Sequence, residues 1–250
     1  PITGSKDKRD MDGYKIGIEE YDCDPSGFST LVDAMKSSSV AKLSISGCDI
    51  GPVGLTTLAN AISDIAGMTK IDISKNNIGA DGAKALADVI PASKVQTLVI
   101  GDGVEISTRG SEAETLDFSN KGFGPGEVVL ISALVIPFSA GVNWVDISKN
   151  KIGDEAAQVF FEALRGTKIA TLVISEIGIG PVGLTSLAKV MSDMAGLSEV
   201  NLSANKCFGE GKFRSGNPNG QHDIDKDQTG WTAFCEALKD KNSIQTLVLA

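Results

Sequence analysis

Histidine is nearly absent: the 250 residues contain one, His222. A multi-histidine metal site is excluded, and histidine-centred acid–base catalysis has no second histidine to work with. Aromatic residues make up only 5%, with two Trp and two Tyr. The four cysteines, Cys23, Cys48, Cys207 and Cys235, show no close pairing. They read as reduced structural thiols, and so point to an intracellular chain. No apolar run approaches the ~20 residues of a membrane-spanning helix. The longest, residues 128–138, is interrupted by Ser132 and Pro137. Basic residues are in deficit, giving a net charge of −9. A nucleic-acid binder would need clustered Lys and Arg to release counterions. What is present, 42% hydrophobic and 22% charged residues, is the mix of one folded globular body.

The chain repeats itself on two scales. IGPVGLTTLANAISDIAG at 50–67 returns as IGPVGLTSLAKVMSDMAG at 179–196, an offset of 129 residues. Over 50–79 against 179–208, 15 of 30 positions are identical. VQTLVIG at Val95 returns as IQTLVLA at Ile244, an offset of 149, so 20 residues have entered the second copy. Inside this long period, aliphatic pairs recur at Ile16/Ile18, Leu43/Ile45, Ile71/Ile73, Leu98/Ile100 and Leu116/Phe118. They continue at Val145/Ile147, Leu172/Ile174, Val200/Leu202 and Leu247/Leu249. Most intervals are 27 to 29 residues; one is 18, and one of 47 holds the insertion.

Each unit begins with period-two alternation, so Ile71 and Ile73 share one face of a strand. Asn76 follows where its amide can bond the backbone of the turn. Gly79 and Gly82 allow the bend. Ala83, Leu86, Ala87 and Ile90 then stand at helical spacing. The pattern LxxLxLxxNxIGxxGxxxLxxxL resembles the leucine-rich repeat of the ribonuclease-inhibitor subclass, which also occurs in intracellular immune receptors and in the activator of the Ran GTPase. The resemblance covers residues 13–250 and implies an α/β solenoid, a horseshoe with parallel strands on the concave wall and helices on the convex wall. Each unit would bury its apolar face against its neighbours. The domain division expected is a loose leader at 1–12, rich in Lys and Asp, and one repeat domain at 13–250.

Departures from the pattern mark the candidate sites. Residues 101–113, the 18-residue interval, leave no room for a helix; they read as a degenerate spacer or as a notch for a partner. The following helix, EVVLISALVIPF, carries more apolar residues than its repeat register uses. Val129, Leu130, Ala133, Leu134, Ile136 and Phe138 are in surplus, which predicts a convex face covered by a partner or a membrane surface, or else burial within the protein. The polar insertion at 211–230 contains Asp223, Asp225 and Asp227, spaced like the start of a calcium loop. Gln228 and Phe234 stand where that loop needs Gly and Glu, so no metal is expected. On the concave wall the outward residues are mostly small and polar. Trp144 is the aromatic exception, and Asp72, Asp117 and Asp146 supply charge. Gly178, Gly180 and Gly183 spell a dinucleotide fingerprint, but Gly51/Gly54 and Gly79/Gly82 share its register as turn glycines.

No nucleophile–base pair or carboxylate pair in a cleft emerges. The function expected is a non-catalytic protein-interaction scaffold without cofactor and, as a finer reading, an accessory subunit of a large multi-protein or organellar assembly. The partner is protein, with no nucleic acid; peripheral contact with a membrane-bound complex stays open. Lys6, Lys8, Arg9 and Asp10 stand where a secretory signal needs apolar residues. The compartment expected is the cytoplasm, with an organelle interior as the second choice. The alternative function is a regulator of an enzyme, such as a GTPase activator or an inhibitor, for which Arg109 is the one candidate. Leu247 and Leu249 close the chain on a strand without its helix, so further repeats, a cap or a partner are expected after Ala250.

Overall fold

The computed structural model describes residues 2–11, 13–208, 227–241 and 243–249. Chain order is β1 (Ser5–Arg9), β2 (Lys15–Tyr21), α1 (Ser26–Lys36), β3 (Lys42–Ser44), α2 (Pro52–Ile62), β4 (Lys70–Asp72) and α3 (Gly79–Val89). There follow β5 (Thr97–Ile100), β6 (Val104–Ser107), β7 (Thr115–Asp117), α4 (Pro125–Leu134), β8 (Trp144–Asp146) and α5 (Gly153–Ala163). The order ends with β9 (Thr171–Val173), α6 (Pro181–Met191), β10 (Glu199–Asn201), α7 (Thr229–Asp240) and β11 (Thr246–Val248).

Two compact units result, one of residues 1–110 and 121–138, the other of residues 111–120 and 139–250. In the first, β3, β4 and β5 run parallel, and β6 closes the sheet antiparallel to β5. In the second, β7, β8, β9, β10 and β11 form one parallel ladder in that order. The alternation visible in the sequence is what folds. Ile71, Leu98, Val145, Leu172 and Val200 are fully buried on the inner side of their strands. The helical stripes, such as Leu55, Leu58 and Ile62 or Leu184, Leu187 and Met191, complete the core of each unit. Burying each such side chain stabilises by ~1.5–3 kcal/mol.

Three expectations change. Residues 101–107 are not a plain spacer: they complete the β5–β6 hairpin, with Ile100 facing Val104 across a three-residue loop. Gly101 and Gly103 take positive φ of 54° and 105° there, the conformation such loops require. Because β6 fills the edge of β5, β7 heads a separate ladder.

The second change concerns α4. Its surplus apolar face is not open: Leu130 and Leu134 are 0% exposed, and Val129 and Ile136 are buried as well. Of the six residues only Ala133 and Phe138 reach the surface. The hairpin supplies no helix between α3 and α4, and these two pack directly on each other. Gly126 permits the approach, since a Cβ there would stand 2.6 Å from the Gly79 carbonyl oxygen.

The third is the leader. Within residues 1–12, Ser5–Arg9 is strand β1, antiparallel to β2. Ile2 N–H donates to the Cys48 carbonyl at 3.1 Å, and Thr3 is buried. Charge of alternating sign suggests a solvated segment, but Lys15 Nζ meets Asp7 at 2.8 Å across the pair. The repeat spacing makes Ile16 and Ile18 part of the first ladder strand; β2 pairs with β1 instead.

Candidate functional site

The strand walls are built by their turns. After each aliphatic pair an asparagine plugs the bend: Asn150 donates to the carbonyls of Phe118, Ile147 and Ser148 at 2.8, 2.8 and 3.1 Å. Asn76 and Asn205 do the same in their repeats, as the spacing predicts. Cys48 holds that place in another repeat, its Sγ 3.6 Å from the Ser46 carbonyl. The strand ends are closed by a second device. Asp117 Oδ1 accepts from the N–H and hydroxyl of Ser119 at 2.9 and 2.6 Å. Asp146 Oδ1 accepts from Ser148 N–H at 2.7 Å, and Asp72 Oδ1 from Ser74 at 3.1 and 2.6 Å. These side-chain-to-backbone bonds fix each carboxylate in one orientation. Burial works to raise the Asp72 carboxyl, but Ser74, the Ser44 hydroxyl and Lys70 together hold it below its ordinary value.

In the second unit the outward residues form straight rows. Thr115, Trp144, Thr171, Glu199 and Thr246 are in register, and beside them run Asp117, Asp146, Val173, Asn201 and Val248. Trp144 is half-buried between two threonines, an aromatic residue on the second strand of the five. The ionisable residues of these strands are Asp117, Asp146 and Glu199, all acidic. The structure thus brings Trp144, Asp146 and Asp117 together, with Glu199 as an addition that the alternation places outward without singling it out. Asp72 belongs to the other unit, where Lys42, Lys70 and Glu105 mix the signs and Lys70 pairs with Glu105.

The look-alike motifs are occupied by structure. Gly180 and Gly183 N–H groups, at the start of α6, donate to Asp154 Oδ1 at 2.7 and 2.8 Å. A carboxylate thus fills the place where the fingerprint would seat a phosphate. Asp22 caps α2 in the same manner, taking Gly51, Val53 and Gly54 N–H at 2.9–3.1 Å. The Arg109 guanidinium bonds the carbonyls of Pro91 and Ser93 at 3.4 and 3.1 Å, which ties it to its own unit. Asp223 and Asp225 lie outside the described residues; Asp227 Oδ1 accepts from Thr229 at the start of α7. Among the described residues, no group of three or more His, Cys, Asp or Glu is placed to hold a metal, and no helix is long and apolar enough to cross a membrane. All four cysteines are free; Cys207 is buried, which pushes its thiol up, while Cys23 is exposed.

Residues 36–59, 68–87 and 145–161 match the family model "Leucine Rich repeat". The chain is 23% identical over 202 residues to mouse (Mus musculus) NACHT, LRR and PYD domains-containing protein 14, covering 78% of this chain and 18% of that protein. It is 24% identical over 172 residues to pig (Sus scrofa) ribonuclease inhibitor, covering 68% of this chain and 34% of that protein. The chain therefore spans about a third or less of the length of these curated relatives. Among solved structures, the match to Leiomodin-1 Actin-Binding Site 2 covers 55% of this chain and 70% of that one, at TM-score 0.43 and 14% identity.

Proposed function

We propose, starting from the premise that this is a leucine-rich repeat protein of the ribonuclease-inhibitor-like class, that it is a non-catalytic scaffold that binds protein on the strand wall of its second unit. Repeats of this kind bind proteins. The observation that carries the finer reading is Trp144, an aromatic anchor set in a rigid row whose charged neighbours are all acidic. Tryptophan is among the residue types most enriched at binding hot spots. The acidic neighbours favour a partner that presents Lys or Arg, and they steer its approach more than they tighten it. A role as accessory subunit of a larger assembly fits the same wall; it draws no support from α4, whose apolar face is buried.

The test is binding to the protein that copurifies with the native chain. Trp144→Ala should weaken it about 30-fold or more, the effect of losing a ~2 kcal/mol hot spot. Asp146→Lys should chiefly slow association, and less so at high salt. Unchanged binding in both variants would remove the wall from the function.

A further inference from the structure

Strand β2 is the sequence counterpart of β8. The 129-residue offset maps Ile16/Ile18 onto Val145/Ile147, and Leu43/Ile45 onto Leu172/Ile174. In the second copy β8 pairs parallel with β9, Trp144 facing Thr171 and Asp146 facing Val173. The same register in the first copy would set Lys15 against Lys42, and Gly17 against Ser44. The first copy does otherwise: β2 lies antiparallel to β1, and β3 is an edge strand whose partner in the sheet, among the described residues, is β4. We propose that β2 is an exchangeable strand, held by β1 in the structure seen here and able to leave it and join β3 as an added parallel strand of the ladder.

Four observations support the exchange. First, the β1–β2 pairing is irregular, with register shifts between Lys6 and Asp7 and again between Lys8 and Arg9. The β3–β4 ladder has none. Second, the strap is poorly satisfied: the buried hydroxyls Thr3 Oγ1 and Ser5 Oγ have no hydrogen-bond partner. Leaving a buried polar group unpaired is costly, so releasing Ser5 of β1 to water offsets part of the loss of the pairing. Third, the ion pair of Asp7 with Lys15 between the two strands is exposed, and such pairs contribute little; the Arg9–Gly13 and Tyr14–Asp10 bonds at 2.8 Å hold the turn rather than the strands. Fourth, the pivot is fixed. Asp22, just after β2, holds the N–H groups of Gly51, Val53 and Gly54 in α2. That anchor binds the C-terminal end of β2 to the helix of the next repeat, the repeat of β3, so the strand can swing without detaching from the core.

The two states differ in what they present. In the hairpin state the outer edge of β3 has no strand partner among the described residues, and such an edge is a template for an incoming strand. In the ladder state β2 closes that edge and adds Lys15 beside Lys42 to the front row. The exchange would therefore gate strand addition at this end of the first unit by competition within the chain.

The experiment is a competition for one thiol. The full chain, with Cys23→Ser and Cys48→Ser, carries Arg9→Cys, Lys15→Cys and Lys42→Cys, all at exposed positions. Under mild oxidation the thiol introduced at position 15 can bond the one at position 9, its facing position in the hairpin. It can instead bond the one at position 42, its facing position in the ladder. Peptide mapping of the monomer should find both disulfides, with the 15–42 product rising when Ser5→Pro removes β1 from the strand. A second pair, Gly17→Cys with Ser44→Cys, should crosslink in the same register. If 9–15 forms alone in both backgrounds and 17–44 does not form, the strand does not exchange and the proposal fails. A 15–42 bond found only between two chains would replace it with a swap between copies.

Discussion

Glu127 shows how one side chain can be set against its surroundings. It sits at the third position of α4, buried, and its Oε2 accepts the N–H of Gly124 at 2.9 Å. Burial pushes its carboxyl above the usual value of 4.5; the backbone amides of Gly124 and Glu127 pull the other way, and the charge of Asp102 adds to the rise. The sign follows from linkage. From about 4.5 upward the unfolded chain gives up this proton while the folded chain still holds it, so stability falls with rising pH until the folded carboxyl has ionised, and is flat above. Glu127→Gln keeps an oxygen for Gly124 and has nothing to ionise. Its unfolding free energy, compared with that of the unaltered chain from about pH 4.5 to about pH 7.5, should diverge in its favour across that window; a constant difference would contradict the assignment. Little of this is legible in the sequence. Asn76 can be read because part of its duty, to the Ile73 and Ser74 carbonyls, lies within its own turn. Glu127 bonds Gly124 locally, but its burial is decided by packing, and Asp22 and Asp154 reach donors 26 to 32 residues away.

At the scale of elements, alternation and helical spacing place the strand–turn–helix units because both periods are local properties of the chain. They fail where a strand has two partners to choose from. Val104 and Ile106 alternate, and Gly101-Asp102-Gly103 is a loop signal, yet the repeat register sets this segment against a helix it has no room to be. The pattern of β2 is the same in a hairpin and in a ladder, so it does not reveal β1. The sequence shows α4 as apolar on every side; what covers it depends on the missing helix of the short unit. The structure makes α4 a core element, and mutation can show it. Leu134→Ala should cost about 2–5 kcal/mol in chemical denaturation, as other buried leucine truncations do. Phe138→Ala, at a residue 55% exposed, should cost much less. Equal small losses would mean that the face is open after all.

For the whole molecule, the 129-residue period is the most legible feature, and it organises both units. The second copy keeps the regular ladder of five parallel strands. The first copy modifies both ends of its sheet, with β6 on one side and the β1–β2 hairpin in place of a ladder strand before β3. The proposed binding wall is the part where the ladder is regular and its outer rows carry Trp144, Asp117, Asp146 and Glu199. This chain matches its relatives over only part of their length, so its partner is best identified by direct contact. The most direct measurement places a photo-crosslinking amino acid at single positions of the native chain. Thr115, Thr171 and Glu199 sample the wall around Trp144, and Val159 and Lys189 sample the exposed sides of α5 and α6. The account predicts adducts with one copurifying protein at the three wall positions, and their loss when Trp144→Ala is added. Adducts at Val159 and Lys189 with none on the wall would contradict it.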